Sequence, residues 1–210
     1  MPTSDYFVNH ERARRFPWSI YHRPLEDDLE RFLCSVAVDG GSRVLVIGCG
    51  LLQELDHAPE GLRFTAVDID PRVIDIVAAR HDRRIEATRV VGPETSLAEL
   101  GLGQFDGVYA KEVIEHIVPY QSYMAGLRQL LREGGRLWLS TPNYGEPWLP
   151  LLESTVLEWV ARRSGYTRRD IHPSRFTRRS LAAALEAAGF HDVHARPVIN
   201  RLALVAWARK

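Results

Sequence analysis

Two cysteines in 210 residues, Cys34 and Cys49, are too few for a disulfide framework in a chain of this length. Reduced thiols in a cytoplasmic protein are the expectation. Charge of one sign is also lacking. Lys plus Arg and Asp plus Glu both number 27, so the formal charge is zero, and the basic excess of a dedicated nucleic-acid binder is absent. No run approaches the roughly 18 apolar residues that a membrane-spanning helix needs. The opening MPTSDYFVNHERARRF carries charge without an apolar stretch, so neither a span nor a signal peptide is expected. Internal repeats and low-complexity segments are missing too. With 45% apolar and 26% charged residues, the composition is that of an ordinary globular chain, long enough for a single domain over 1–210 with a sizeable core.

What is present is an alternation of two periods. Residues 1–24 are polar and aromatic and read as an N-terminal lid or helix, extending to about residue 37. Within that stretch Leu25, Leu29, Phe32, Leu33 and Val36 recur at helical spacing. Short unbroken apolar runs at 44–47 and 64–67 suit strands buried on both faces of a parallel sheet. Asp70 before Pro71 reads as an N-cap followed by proline at the first helical position, opening a helix that turns Val73, Ile74, Ile76 and Val77 inward. Further strands are predicted at 88–91, 106–110 and 136–140, with a helix at 120–132 stopped by Gly134 and Gly135. A helix over 178–188 ends at Gly189, and strands near 191–196 and 199–208 follow. The apolar LALVAW could pair across a dimer or sit within the sheet. The sheet is expected, and monomer or homodimer stays open. Strands alternating with helices predict a doubly wound, Rossmann-like α/β fold.

The first strand ends in Ile47-Gly48-Cys49-Gly50. Two glycines at this spacing permit a sharp turn and close approach of the backbone to a ligand, and the helix that should follow would aim its N–H groups at the same place. The second strand ends in Asp68, twenty positions after Gly48, where an acid can accept hydrogen bonds from ribose hydroxyls.

VLVIGCG, AVDIDPRVIDIVAAR, FDGVYAKEVIEHI and GGRLWLSTPN, in this order and spacing, resemble the class I S-adenosylmethionine-dependent methyltransferases over about residues 40–190. The resemblance implies a seven-stranded sheet whose last strand is antiparallel, with S-adenosylmethionine across the carboxyl ends of strands 1, 2 and 4. It implies that Gly48, Cys49 and Gly50 face the methionine part, that Asp68 takes the ribose and that Ile69 lies against adenine. Glu94, with Thr95 beside it, falls where the family has an acid near the adenine amine, and Lys111 follows strand 4 where backbone groups meet the cofactor. A nicotinamide enzyme fits the Glu-His pair and the STPN block less well. Two positions depart from the family pattern. Val46 stands where an acid is usual, and Leu52 where a third glycine is common. Glu54 is a candidate to compensate for the first. The departures also admit a non-catalytic binding module that kept the fold.

Glu112, Glu115 and His116 form the densest polar cluster in mid-chain, at the carboxyl end of the sheet. His116 is the candidate general base and Glu112 a candidate catalytic partner, because imidazole alone has an unperturbed pKa near neutrality. The same residues with distant His172 resemble the metal set of two methyltransferase groups, one acting on catechol-like oxygens of ubiquinone precursors, the other on the terminal ribose of small RNAs. That resemblance implies a divalent metal such as Mg2+. The segment 142–176 reads as a substrate-side insertion with a helical cap, where Tyr144, Trp148, Trp159 and Tyr166 could line an acceptor pocket. Arg162, Arg163, Arg168, Arg169, Arg175, Arg178 and Arg179 concentrate positive charge nearby. A small acceptor, anionic ones included, methylated on oxygen fits this pattern better than an RNA terminus.

Overall fold

The computed structural model describes residues 18–38, 41–92, 95–147 and 172–210. The lid reading for 1–17, the helix expected at 148–164 and the side chains of Trp148, Trp159 and Tyr166 lie outside them.

Seven strands form one sheet, β1 (Ser42–Ile47), β2 (Leu62–Asp68), β3 (Ile85–Val90), β4 (Phe105–Lys111), β5 (Leu131–Pro142), β6 (His191–Val198) and β7 (Ala203–Arg209). Their order is β3-β2-β1-β4-β5-β7-β6. The first five run parallel. β7 inserts antiparallel between β5 and β6, which places LALVAW inside the sheet, as the sequence predicts. The order of winding reverses between β1 and β4, the point at whose carboxyl ends open α/β folds bind ligands.

Period-two alternation distributes the strands' apolar residues over two layers. Val44 and Val46 of β1 face one cluster with Phe64, Tyr109, Trp138 and Val205. Leu45 and Ile47 face the other with Val108, Leu139 and Leu204. Helices α1 (Trp18–Val36) and α2 (Pro71–Ala79) cover the first face, α3 (Tyr120–Leu130) and α4 (Arg178–Ala187) the second. The cap predicted at Asp70 is present, its carboxylate accepting from the Arg72 N–H, and Gly189 takes the left-handed conformation after α4. No described helix is long and apolar enough to cross a membrane.

Of the boundaries that differ from expectation, three have a clear cause. α1 contains Pro24 rather than starting after it. A proline inside a helix forfeits one backbone bond, which burial of Leu25, Leu29, Phe32 and Leu33 offsets. Gly134 and Gly135 belong to β5, not to a helix stop: α3 already ends at Leu130, and the glycines form a kink where the β4–β5 register shifts. Gly134 has a φ of 73°; its N–H donates to the Lys210 carbonyl at 3.2 Å, and the Gly135 carbonyl accepts the Lys210 N–H at 3.0 Å, so the pair joins the sheet instead of extending a helix. β3 begins three residues before its predicted start, because an outer strand with no fully buried position carries no apolar run.

Candidate functional site

The glycine loop is built as its sequence requires. Gly48 has a φ of 67°, and a Cβ there would lie 2.6 Å from Val113 Cγ2, so neither backbone angle nor space admits a side chain. Its N–H and that of Cys49 both donate to the Val67 carbonyl, at 2.9 and 3.1 Å. Asp68 ties the loop from the other side. One carboxylate oxygen accepts the Gly50 N–H at 3.0 Å and the other the Asp70 N–H at 3.0 Å. A carboxylate offers about four acceptor positions, so these two bonds orient Asp68 and leave capacity for further donors. Ile69 beside it is 66% exposed, a large apolar side chain next to an acid, as a planar base would need. Cys49 is buried, and burial with the charges of Asp68 and Glu54 pushes its thiol far above the ordinary range. It is packing, not a nucleophile.

The expected helix after the loop is one 3-10 turn, Gln53–Asp56. Arg80 braces it, donating to the carbonyls of Leu51 and Leu52 and pairing with Asp56. Leu52 holds a φ of 48° with its side chain fully buried. The left-handed conformation costs a leucine about 1–2 kcal/mol, and burying that side chain returns about as much. The backbone path therefore survives loss of the glycine. Glu94 lies outside the described residues. Thr95 is exposed and closes a local turn, exchanging hydrogen bonds with Gly92 at 3.1 Å in both directions.

Lys111 contributes more than backbone. Its ammonium pairs with the Glu54 carboxylate at 2.5 Å. Burial works against that charge, but Glu54, with Glu26 and Glu112 behind it, outweighs burial and holds Lys111 above its usual range. Glu112 sits at a φ of 56°. Its N–H donates to the Ser140 hydroxyl and carbonyl at 3.1 and 3.2 Å, and its carboxylate accepts the Ser140 hydroxyl at 3.0 Å. Strained non-glycine backbone of this kind gathers at functional sites.

Glu115, His116 and His172 do converge, one ligand atom from each lying within 4.8 Å of the others. Glu112 is not part of this group and faces Ser140 instead, a correction to the four-residue set. Glu115 is buried, and one of its carboxylate oxygens has no hydrogen-bond partner. Burial and the neighbouring charge of Glu112 hold its pKa well above the ordinary range. His116 is half exposed, with Nε2 4.0 Å from Glu115. His172 reaches the group because Ser174 is anchored beneath it, its N–H donating to the Glu115 carbonyl at 3.0 Å and its hydroxyl to Ile117 at 2.6 Å.

Tyr144 joins this group through a contact that the sequence obscured. It stands as a pocket-lining aromatic in the sequence, but its hydroxyl shares a hydrogen bond of 2.7 Å with His172 Nδ1. The Arg175 guanidinium lies 5.0 Å over its ring. No fixed spacing joins 144 to 172, so only the fold reveals the pair.

A family profile described as a methyltransferase domain matches residues 17–195. The chain belongs to the class I S-adenosylmethionine-dependent methyltransferases. It is 30% identical over 166 residues to the ubiquinone biosynthesis O-methyltransferase of Idiomarina loihiensis, covering 75% of this chain and 67% of that one. The Xanthomonas oryzae protein of the same name is 36% identical over 126 residues, covering 58% and 52%. The chain thus spans between half and two thirds of these relatives. Magnesium protoporphyrin IX methyltransferase from Synechocystis, solved with S-adenosylhomocysteine, superposes with a TM-score of 0.66 at 17% identity over 99% of this chain and 95% of that one. The sheet order and the antiparallel β7 are those of the family fold, and S-adenosylmethionine is the methyl donor for which that family is named.

Proposed function

We propose that this methyltransferase methylates an oxygen of a small acceptor seated at Glu115, His116 and His172. The observation that carries the reading is the convergence of these three side chains one strand away from the glycine loop. The loop and Asp68 would hold the donor with Ile69 against its base, and His116 would face the acceptor hydroxyl. The hydroxyl oxygen attacks the sulfonium methyl in line, the carbon–sulfur bond breaks, S-adenosylhomocysteine leaves, and the proton passes to His116. Tyr144 would orient His172, with Arg175 meeting an anionic group on the acceptor. The names of the relatives support oxygen as the methylated atom.

The same cluster fits a divalent cation. Two imidazoles and a carboxylate are an ordinary ligand set, and a cation would satisfy the unpartnered oxygen of Glu115. Glu115, His116 and His172 would hold it, His116 then serving as a ligand in place of the base, and a bound ion would supply Lewis acidity to an acceptor bearing adjacent oxygens. The test is methylation of catechol-type acceptors, with and without chelator, beside a single-stranded RNA ending in a free ribose. Methylated catechol with unmodified RNA supports the reading. Methylated RNA with unmodified catechol overturns it in favour of the RNA terminus.

A further inference from the structure

The polar group beneath the glycine loop has no role in the site as described so far. β1 and β4 are neighbours, and their register pairs Val46 with Tyr109. Both side chains lie on the sheet face covered by α1. Lys111, two residues after Tyr109, falls on that same face by the period of the strand. Val46 is the position where relatives of this fold carry an acid, and here it is a buried hydrocarbon. An acid nevertheless reaches the end of the neighbouring strand, because the turn after the loop brings Glu54 to Lys111. Glu54 is close enough to Tyr109 and Cys49 for its charge to raise both their pKa values.

Tyr109 supplies an independent sign that something is received here. Its hydroxyl is fully buried and finds no hydrogen-bond partner among the described residues. An unsatisfied buried hydroxyl costs about 1–3 kcal/mol, a cost that a polar ligand group reaching it would remove. A carboxylate and an ammonium side by side, with a hydroxyl near enough to feel the carboxylate's charge, are complementary to a zwitterion. Neither charge is used up by the pairing, since an ammonium has three donors and a carboxylate about four acceptor positions.

We infer that Glu54 and Lys111 form the receptor for the α-amino-carboxylate end of the methyl donor, Glu54 taking its ammonium and Lys111 its carboxylate. The acid has moved from β1 to the following turn, and the ion pair does the work usually assigned to position 46. This rests on the donor lying in the loop as proposed above.

The experiment is titration calorimetry of the full chain with two ligands, S-adenosylhomocysteine and 5′-methylthioadenosine, the second lacking the amino-acid end. The wild-type protein is expected to prefer S-adenosylhomocysteine. Glu54→Gln and Lys111→Met should each weaken S-adenosylhomocysteine at least tenfold while leaving methylthioadenosine within about twofold, and Lys111→Arg should keep most of the preference. Equal loss of both ligands would make the pair a structural brace and overturn the inference, as would unchanged affinity in both variants. A wild-type protein that binds neither ligand would overturn the donor site itself, and the inference with it.

Discussion

Trp138 donates its indole N–H to Asp28 at 2.9 Å in the interior of the protein. Trp207 donates to the same oxygen at 2.8 Å, and the other oxygen takes Arg31 and Arg196. One acid on α1 thus gathers β5, β7 and β6, and its charge is met from four directions. Burial alone would raise its pKa, but the two indoles, Arg31 and Arg196 together hold it below the ordinary value.

Replacing Asp28 by Asn should therefore cost stability, on the order of 1–2 kcal/mol, because the acid is buried but Arg31 and Arg196 are half exposed or more and water screens their charges. Urea unfolding would read it as a lower midpoint at an unchanged slope. Because the folded pKa is depressed, the stabilisation is full above the unfolded value near 3.9 and is lost as pH falls through the folded one. The gap between wild type and Asp28→Asn should narrow below about pH 4.

Glu115 has the opposite sign. Its folded pKa is raised, so the folded state holds the proton longer and stability falls as pH climbs from the unfolded value toward the folded one. Without added metal, Glu115→Gln should raise the unfolding midpoint at pH 8 and change it little near pH 4. Equal midpoints at both pH values would contradict this account of its burial.

Gly48→Ala should weaken S-adenosylhomocysteine by tenfold or more, since the added carbon meets Val113 at 2.6 Å on a backbone that rejects it. Calorimetry gives the affinity, and thermal unfolding separates a displaced loop from a lost fold.

Tyr144→Phe removes the hydroxyl on His172 and keeps the ring under Arg175. Turnover should fall about tenfold with donor affinity unchanged, in line with removal of a group that orients a site histidine. The pH profile of kcat should move as well, which a purely structural loss would not produce.

What could be read in the sequence follows from what each residue does locally. The run Val44–Ile47, the glycines after it and Asp68 were legible because a buried parallel strand, a turn and an acid must come in that order. The convergence of Glu115, His116 and His172 was anticipated by likeness to relatives. Lys111 with Glu54 was not, since its partner lies 57 positions away. Asp28 was equally hidden. An acid among LEDDLERF looks like a solvated helix face, and only packing against Trp138, Trp207 and Arg196 makes it a core residue. Gly134 and Gly135 misled for the converse reason, because a glycine pair marks a helix stop or a strand kink alike.

The place of β7 bears on how the molecule is made. Among the described strands β6 pairs only with β7, so while a ribosome is extending the chain β6 emerges before the strand that joins it to the rest. Its ladder can form only when β7 slots in beside β5. The parallel strands could assemble earlier, around contacts already synthesised, but closure of the sheet waits for the segment translated last among the seven. A released chain truncated before Ala203 should hold β1 to β5 and leave β6 open to proteases.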